Sequence, residues 1–228
     1  MNPRNPIIAA LLIYGTASGD VLTKGASFVA AEKAMKSEGY RGGRMEMNSG
    51  MGELEMWMVN GGHLTINYTK SPDSVLGMSY TFILPGPKGE SPIDFSVISF
   101  DTRSGQMLIE IPRRQLMPKQ VKGTITNGGS IDVANRAMKE AGYGNGFLAP
   151  RSNESQFMIW SVDEGLLIAN YKKGTQIIGM SFFFVVPGPE RNEPALFNVI
   201  SFDTSSGRML IQTKKPQPEP IKRAPSEK

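Results

Sequence analysis

One stretch of this chain is written twice. Ala31-Glu-Lys-Ala-Met-Lys-Ser-Glu-Gly-Tyr40 returns as Ala134-Asn-Arg-Ala-Met-Lys-Glu-Ala-Gly-Tyr143, and the agreement continues downstream at fixed spacing. Trp57 pairs with Trp160, Gly62 with Gly165, and Asn67-Tyr68 with Asn170-Tyr171. One residue drops out near Ser71–Ser74. Then Gly77-Met78-Ser79 matches Gly179-Met180-Ser181, and Pro85-Gly86-Pro87 matches Pro187-Gly188-Pro189. Val97-Ile-Ser-Phe-Asp-Thr102 recurs unchanged as Val199-Ile-Ser-Phe-Asp-Thr204. Roughly 35 of about 84 paired positions are identical, so the two halves carry one plan of elements twice.

Each unit reads alike. Ser27 or Ser130 is an N-cap, a helix follows, and Gly39 or Gly142 ends it just past the last turn. Ala31, Ala34, Met35 and Glu38 form one stripe, matched by Ala134, Ala137, Met138 and Ala141, small enough to lie close on a sheet. Strands follow. Leu54–Val59 alternates, Gly61-Gly62 turns the chain, and His63–Tyr68 sends Leu64, Ile66 and Tyr68 one way and Thr65 and Asn67 the other. Gly77–Leu84 is a third strand ending at Pro85-Gly86-Pro87, and Phe95–Asp101 with Gln106–Ile111 closes the unit as a hairpin. The expected fold is α+β: a tandem duplication, each unit one helix packed on an antiparallel sheet of about five strands.

Unit one is set at 20–111 and unit two at 124–213, joined by a basic linker at 112–123 and followed by a Pro/Lys-rich tail at 214–228 expected to be disordered. Residues 1–19 lack a counterpart. Arg4, the apolar run Ile7–Tyr14 and the small residues Ala17 and Gly19 before Asp20 have the order of a signal peptide, which implies a periplasmic or secreted protein. The alternative is a cytoplasmic chain in which Ile7–Tyr14 is a buried strand. The run is too short to span a bilayer.

The net charge of +4 invites a nucleic-acid reading, but its location argues against one. Unit one holds eight Lys/Arg against eleven Asp/Glu, a net of −3, and unit two seven against eight, a net of −1. The excess cations sit in the linker and ends, not on a face that a phosphate backbone can follow. With no cysteine and one histidine, disulfides, thiolate zinc sites, cysteine nucleophiles and most Ser-His-Asp arrangements are excluded.

The remaining candidates have structural readings beside them. Asp101 and Asp203, in identical Ser-Phe-Asp-Thr contexts, lack a paired acid and read as turn-formers. His63 has Leu166 as its counterpart in the other copy and no partner acid in its own segment. Trp57 and Trp160 read as core rather than as stacking platforms. Arg41-Gly-Gly-Arg44 and Gly50-Met-Gly52 follow a helix instead of leading into one, so no phosphate loop is expected. Met45, Met47, Met51, Met56 and Met58 are either adaptable packing or an adhesive surface. Asn67 and Asn170 stay polar in both copies while exposed neighbours drift, and the segments Arg41–Gly52 and Gly144–Ser155, read as loops, diverge most. Asn67, Asn170, Arg41 and Arg44 are therefore the candidate binding residues. No catalytic residue, metal ligand or cofactor is expected.

The order Thr23-Lys-Gly25 (Thr126-Asn-Gly128), helix, and Trp160–Tyr171 resembles envelope lipoproteins of the SmpA/BamE-like class. In architecture it is similar to the β-lactamase inhibitor protein, a tandem pair of helix-plus-sheet units. The resemblance implies a non-catalytic module that binds proteins through sheet faces and loops. The inhibitor's cysteines, the lipoproteins' attachment cysteine and the usual Gly-Met-Thr helix start are absent, and no binding residue carries over. The expected function is thus an exported, non-enzymatic interaction protein binding a protein or polymer partner. The alternative is a cytosolic, saddle-like nucleic-acid-binding protein.

Overall fold

A computed structural model describes residues 20–45, 52–70, 73–86, 89–111, 123–150, 155–163, 165–172, 176–184 and 196–214. The expected signal peptide, nearly all of the linker and the tail beyond Lys214 lie outside the described residues.

In unit one the chain runs β1 (Val21–Thr23), α1 (Phe28–Ser37), β2 (Arg41–Met45), β3 (Glu53–Val59), β4 (Gly62–Lys70), β5 (Asp73–Gly86), β6 (Gly89–Asp101) and β7 (Gln106–Glu110). In unit two it repeats the order as β8 (Thr124–Thr126), α2 (Ile131–Glu140), β9 (Phe147–Pro150), β10 (Ser155–Val162), β11 (Gly165–Lys172), β12 (Ile177–Phe184), β13 (Leu196–Asp203) and β14 (Arg208–Gln212). All fourteen strands belong to one antiparallel sheet, ordered β2-β3-β4-β5-β6-β7-β14-β13-β12-β11-β10-β9, with β1 on β6 and β8 on β13.

Local chemistry accounts for the turns. Asn60 and Gly61 both take positive φ, 48° and 78°, the backbone of a tight two-residue hairpin whose twist suits the strands it joins. Gly39 and Gly142, at φ 81° and 92°, end the helices in the left-handed conformation. Ser27 caps α1 by accepting from the Ala30 N–H at 3.4 Å, whereas Ser130 makes no side-chain cap.

The two units meet where β7 pairs with β14. There Leu108 faces Leu210, its own repeat counterpart, so a pseudo-two-fold axis passes through that pair. The contact is closed at its ends by Thr213, whose N–H and Oγ1 donate to the Gly105 carbonyl, and by the Ile111 N–H on the Gly207 carbonyl. On the inner face an aromatic group straddles the axis: Tyr80, Phe82 and Phe95 of unit one pack on Phe184 and Phe197 of unit two, with centroids 5.3–6.5 Å apart. One continuous core follows, from Leu22 and Trp57 through to Trp160 and Phe202. Both helices turn their apolar stripe into it, and the Phe28 ring of α1 stacks on Tyr68 at 3.5 Å.

The molecule is therefore predominantly β, and the expected α+β fold of two helix-on-sheet units is corrected. A ten-residue helix is about 15 Å long, whereas twelve hydrogen-bonded strands span about 53 Å, so two such helices cannot form a layer. Each unit also holds seven strands, not about five. The missed ones are the three-residue β1 and β8 and the edge strands β2 and β9, which lie in the segments read as divergent loops. Pro85-Gly86 does not stop its strand either: β5 runs through it, with Pro85 opposite Glu90. A proline is tolerated there because, among the described residues, β4 pairs with β5 only as far as Thr81 and no third strand pairs with that part of the hairpin.

Candidate functional site

Strand alternation gives the sheet two unlike sides. Trp57, Leu64, Tyr80 and Phe95, with their counterparts Trp160, Leu167, Phe182 and Phe197, point to the core, and the residues between them face outward. Both helices lie on the inner side, so among the described residues the outer face carries no second layer.

The registers let the two outer faces be compared position by position. In unit one a transverse row runs Arg41, Met58, His63, Thr81, Asp94 across β2 to β6. It is polar at its centre, where the Thr81 hydroxyl donates to Asp94 Oδ1 at 2.6 Å. In unit two the matching row is Ser161, Leu166, Phe183, Leu196. The next row changes likewise, from Met56, Thr65, Ser79 to Ile159, Ile168, Ser181, and the edge strand adds Phe147 opposite Ile159. Leu196 at 62% and Phe147 at 70% are the exposed ends of this surface, and Ile159, Leu166, Ile168 and Phe183 between them are half-buried. Equivalent backbone thus carries in one copy a row that is hydrogen-bonded at Thr81–Asp94 but leaves Met58 51% exposed, and in the other an uncharged, mostly apolar field in which Ser161 and Ser181 are the polar members.

The predicted binding residues are not brought together. Asn67 on β4 and Asn170 on β11 are seven strand intervals apart in the sheet order, about 34 Å along the surface. Each stands where the register shifts at a β-bulge, Asn67/Tyr68 and Asn170/Tyr171. Asn67 is exposed; Asn170 is half-buried, and its Oδ1 is buried with no hydrogen-bond partner among the described residues. Arg41 is exposed on edge strand β2 opposite Met58, and Arg44 is in register with the buried Glu55.

The other residues singled out have structural work. Asp101 accepts from the N–H groups of Arg103 and Ser104 and from the Ser104 hydroxyl, which builds the β6–β7 turn. Asp203 does the same with the N–H and hydroxyl groups of Ser205 and Ser206. Burial works against its charge, but these four hydrogen bonds prevail and hold its carboxyl below the ordinary value. Both indoles are buried. Trp160 donates to Asn135 Oδ1 at 3.1 Å; unit one has Glu32 at the sequence position of Asn135, and the Trp57 N–H has no partner among the described residues. Burial pushes the Tyr40 hydroxyl up to about 12, and the hydroxyl donates to the Thr102 carbonyl at 3.3 Å. Among the described residues no cluster of three metal-ligating side chains occurs, and no helix is long and apolar enough to cross a membrane.

The chain matches no protein-family model, no curated protein and no solved structure. The likeness to SmpA/BamE-like and inhibitor-type modules remains an expectation from the sequence.

The sequence reading missed the outer face of unit two. The signal was present in His63/Leu166 and Thr65/Ile168, but Thr81/Phe183 and Asp94/Leu196 become part of it only once four strands are in register.

Proposed function

We propose that the chain is a non-catalytic interaction protein that engages a protein partner through the outer sheet face of its second unit. One observation carries this reading: the row that is His63, Thr81, Asp94 in unit one is Leu166, Phe183, Leu196 in unit two, with Phe147 exposed beside it. An apolar field held in water is unfavourable unless something covers it, and fields of several hundred Å² mark interaction sites. The absence of charge in these rows suits a protein surface better than a phosphate polymer. The order of residues in 1–19 supports placing the protein in the envelope or outside the cell, which intact mass of the protein from fractionated source cells tests.

A photoreactive residue placed at Phe183 or, as control, at Thr81 tests the binding reading in those cells. Cross-links to a protein at position 183 and not at 81 are the expected result. Turnover in a hydrolase panel that disappears in Asp101→Asn or Asp203→Asn overturns the non-catalytic reading.

A further inference from the structure

Resting on that reading of the face, we infer that its occupant is a second copy of this chain, and that the protein is a closed dimer joined through the outer faces of its second units. The argument begins with area. The field covers β9 to β13, five strands at about 4.8 Å, and about three outward rows some 6.8 Å apart. That is roughly 24 by 20 Å, on the order of 500 Å². Two such faces bury on the order of 1,000 Å² between them, the size at which a specific interface begins. Twisted sheets stack about 10 Å apart when apolar side chains of their facing rows interdigitate, and Phe157, Ile159, Leu166, Ile168, Phe183 and Leu196 supply such side chains, with the uncharged Ser161, Asn170, Gly179, Ser181 and Asn198 between them.

Self-association needs a surface that suits itself. A patch centred on these uncharged residues meets its own copy with no like charges opposed, so a two-fold arrangement carries no electrostatic penalty at the contact. The internal duplication then explains why assembly stops at two. Were both units apolar outside, each molecule would hold two adhesive faces and the dimer would grow into an open chain. At the equivalent positions unit one instead presents His63 and the hydrogen-bonded Thr81–Asp94 pair, with a single exposed apolar side chain, Met58, in that row. One face adheres and the other stays in water.

The repeat also supplies the test. Phe183→Thr with Leu196→Asp installs in unit two the pair that unit one already tolerates, so the fold has a built-in precedent for it. Phe147→Lys is a second variant at a site 70% exposed, where the fold is insensitive. Sedimentation equilibrium of the full chain from about 1 to 200 μM, with far-UV circular dichroism to verify folding, is the measurement. We expect a monomer–dimer equilibrium for the wild type, with the dissociation constant raised about a hundredfold or more by the double substitution and about tenfold by Phe147→Lys, the usual effect of removing central and marginal anchors. A wild-type dimer indifferent to both variants overturns the inference, because the contact then lies elsewhere. A monomer throughout overturns it as well. The cross-link at position 183 then separates the cases: a foreign protein captured there leaves the binding reading standing, and no capture removes both.

Discussion

At the residue scale, two neighbouring glycines of β2 make opposite demands. A Cβ on Gly42 would lie 2.5 Å from the Trp57 ring, whereas one on Gly43 would meet nothing within 4 Å. Gly42→Ala should therefore cost about 1–3 kcal/mol by overpacking, while Gly43→Ala should stay within about 0.5 kcal/mol of wild type; urea titration distinguishes them. Sequence showed two glycines in a row, and only the tertiary position of Trp57 tells them apart. Asp203 makes a second prediction. Its carboxyl titrates below the ordinary 3.8 in the folded chain, so its stabilisation is complete above that value and is lost as pH falls through the lowered one. Asp203→Asn should cost about 1 kcal/mol at pH 7 and almost nothing well below the folded value, giving a flatter acid limb in denaturation measured from pH 2 to 7. That Asp101 and Asp203 form turns was legible beforehand, since an Asx turn needs only the two or three residues that follow.

At the element scale, the two helices start differently although both follow a serine. Asp73, from the far end of β5, accepts from the Ser27 hydroxyl at 2.7 Å and from the Phe28 and Val29 N–H groups, at the positive end of the α1 dipole. The Ser27 bond above all keeps that carboxyl below its ordinary pKa. Asp73→Ala should loosen the first turn of α1, seen as faster hydrogen exchange at Phe28 and Val29 with the amides of α2 unchanged. Lowering the pH through the Asp73 pKa should reproduce the effect, because protonation removes the acceptor charge. Helix position and length were readable from cap residues and spacing; a cap donated across 45 residues was not. The strands followed the same division. Alternation identified β3 and β4, where one side is buried and the other polar, and the repeat carried them over to β10 and β11; it is silent on β2 and β9, which are edge strands whose residues follow no two-residue period.

At the scale of the whole molecule, β7–β14 pairing and the aromatic group beneath it make one core of two copies. Removing either unit would bare a strand edge and the rings of Tyr80 and Phe95 or Phe184 and Phe197. The units should consequently unfold together. Each holds one tryptophan, so Trp57→Phe leaves a reporter in unit two and Trp160→Phe one in unit one. In either variant the fluorescence and far-UV transitions in urea should coincide; separate midpoints would mean that the seam does not couple the units.

The sequence by itself determined the duplication, the order of the main elements, the inward side of the central strands, and the exclusion of cysteine chemistry. These depend on residues near one another along the chain: a cap and its helix, a turn and its aspartate, an alternating strand. The tertiary structure decided that two sheets become one, that four short strands complete it, and that Leu166, Phe183 and Leu196 converge on one exposed face. Those properties arise from pairing between segments distant in sequence, where the register of one strand sets the side to which the next one points. A residue's partner across a sheet is not its neighbour in the chain, and the chemistry of a face exists only after the strands have been laid side by side.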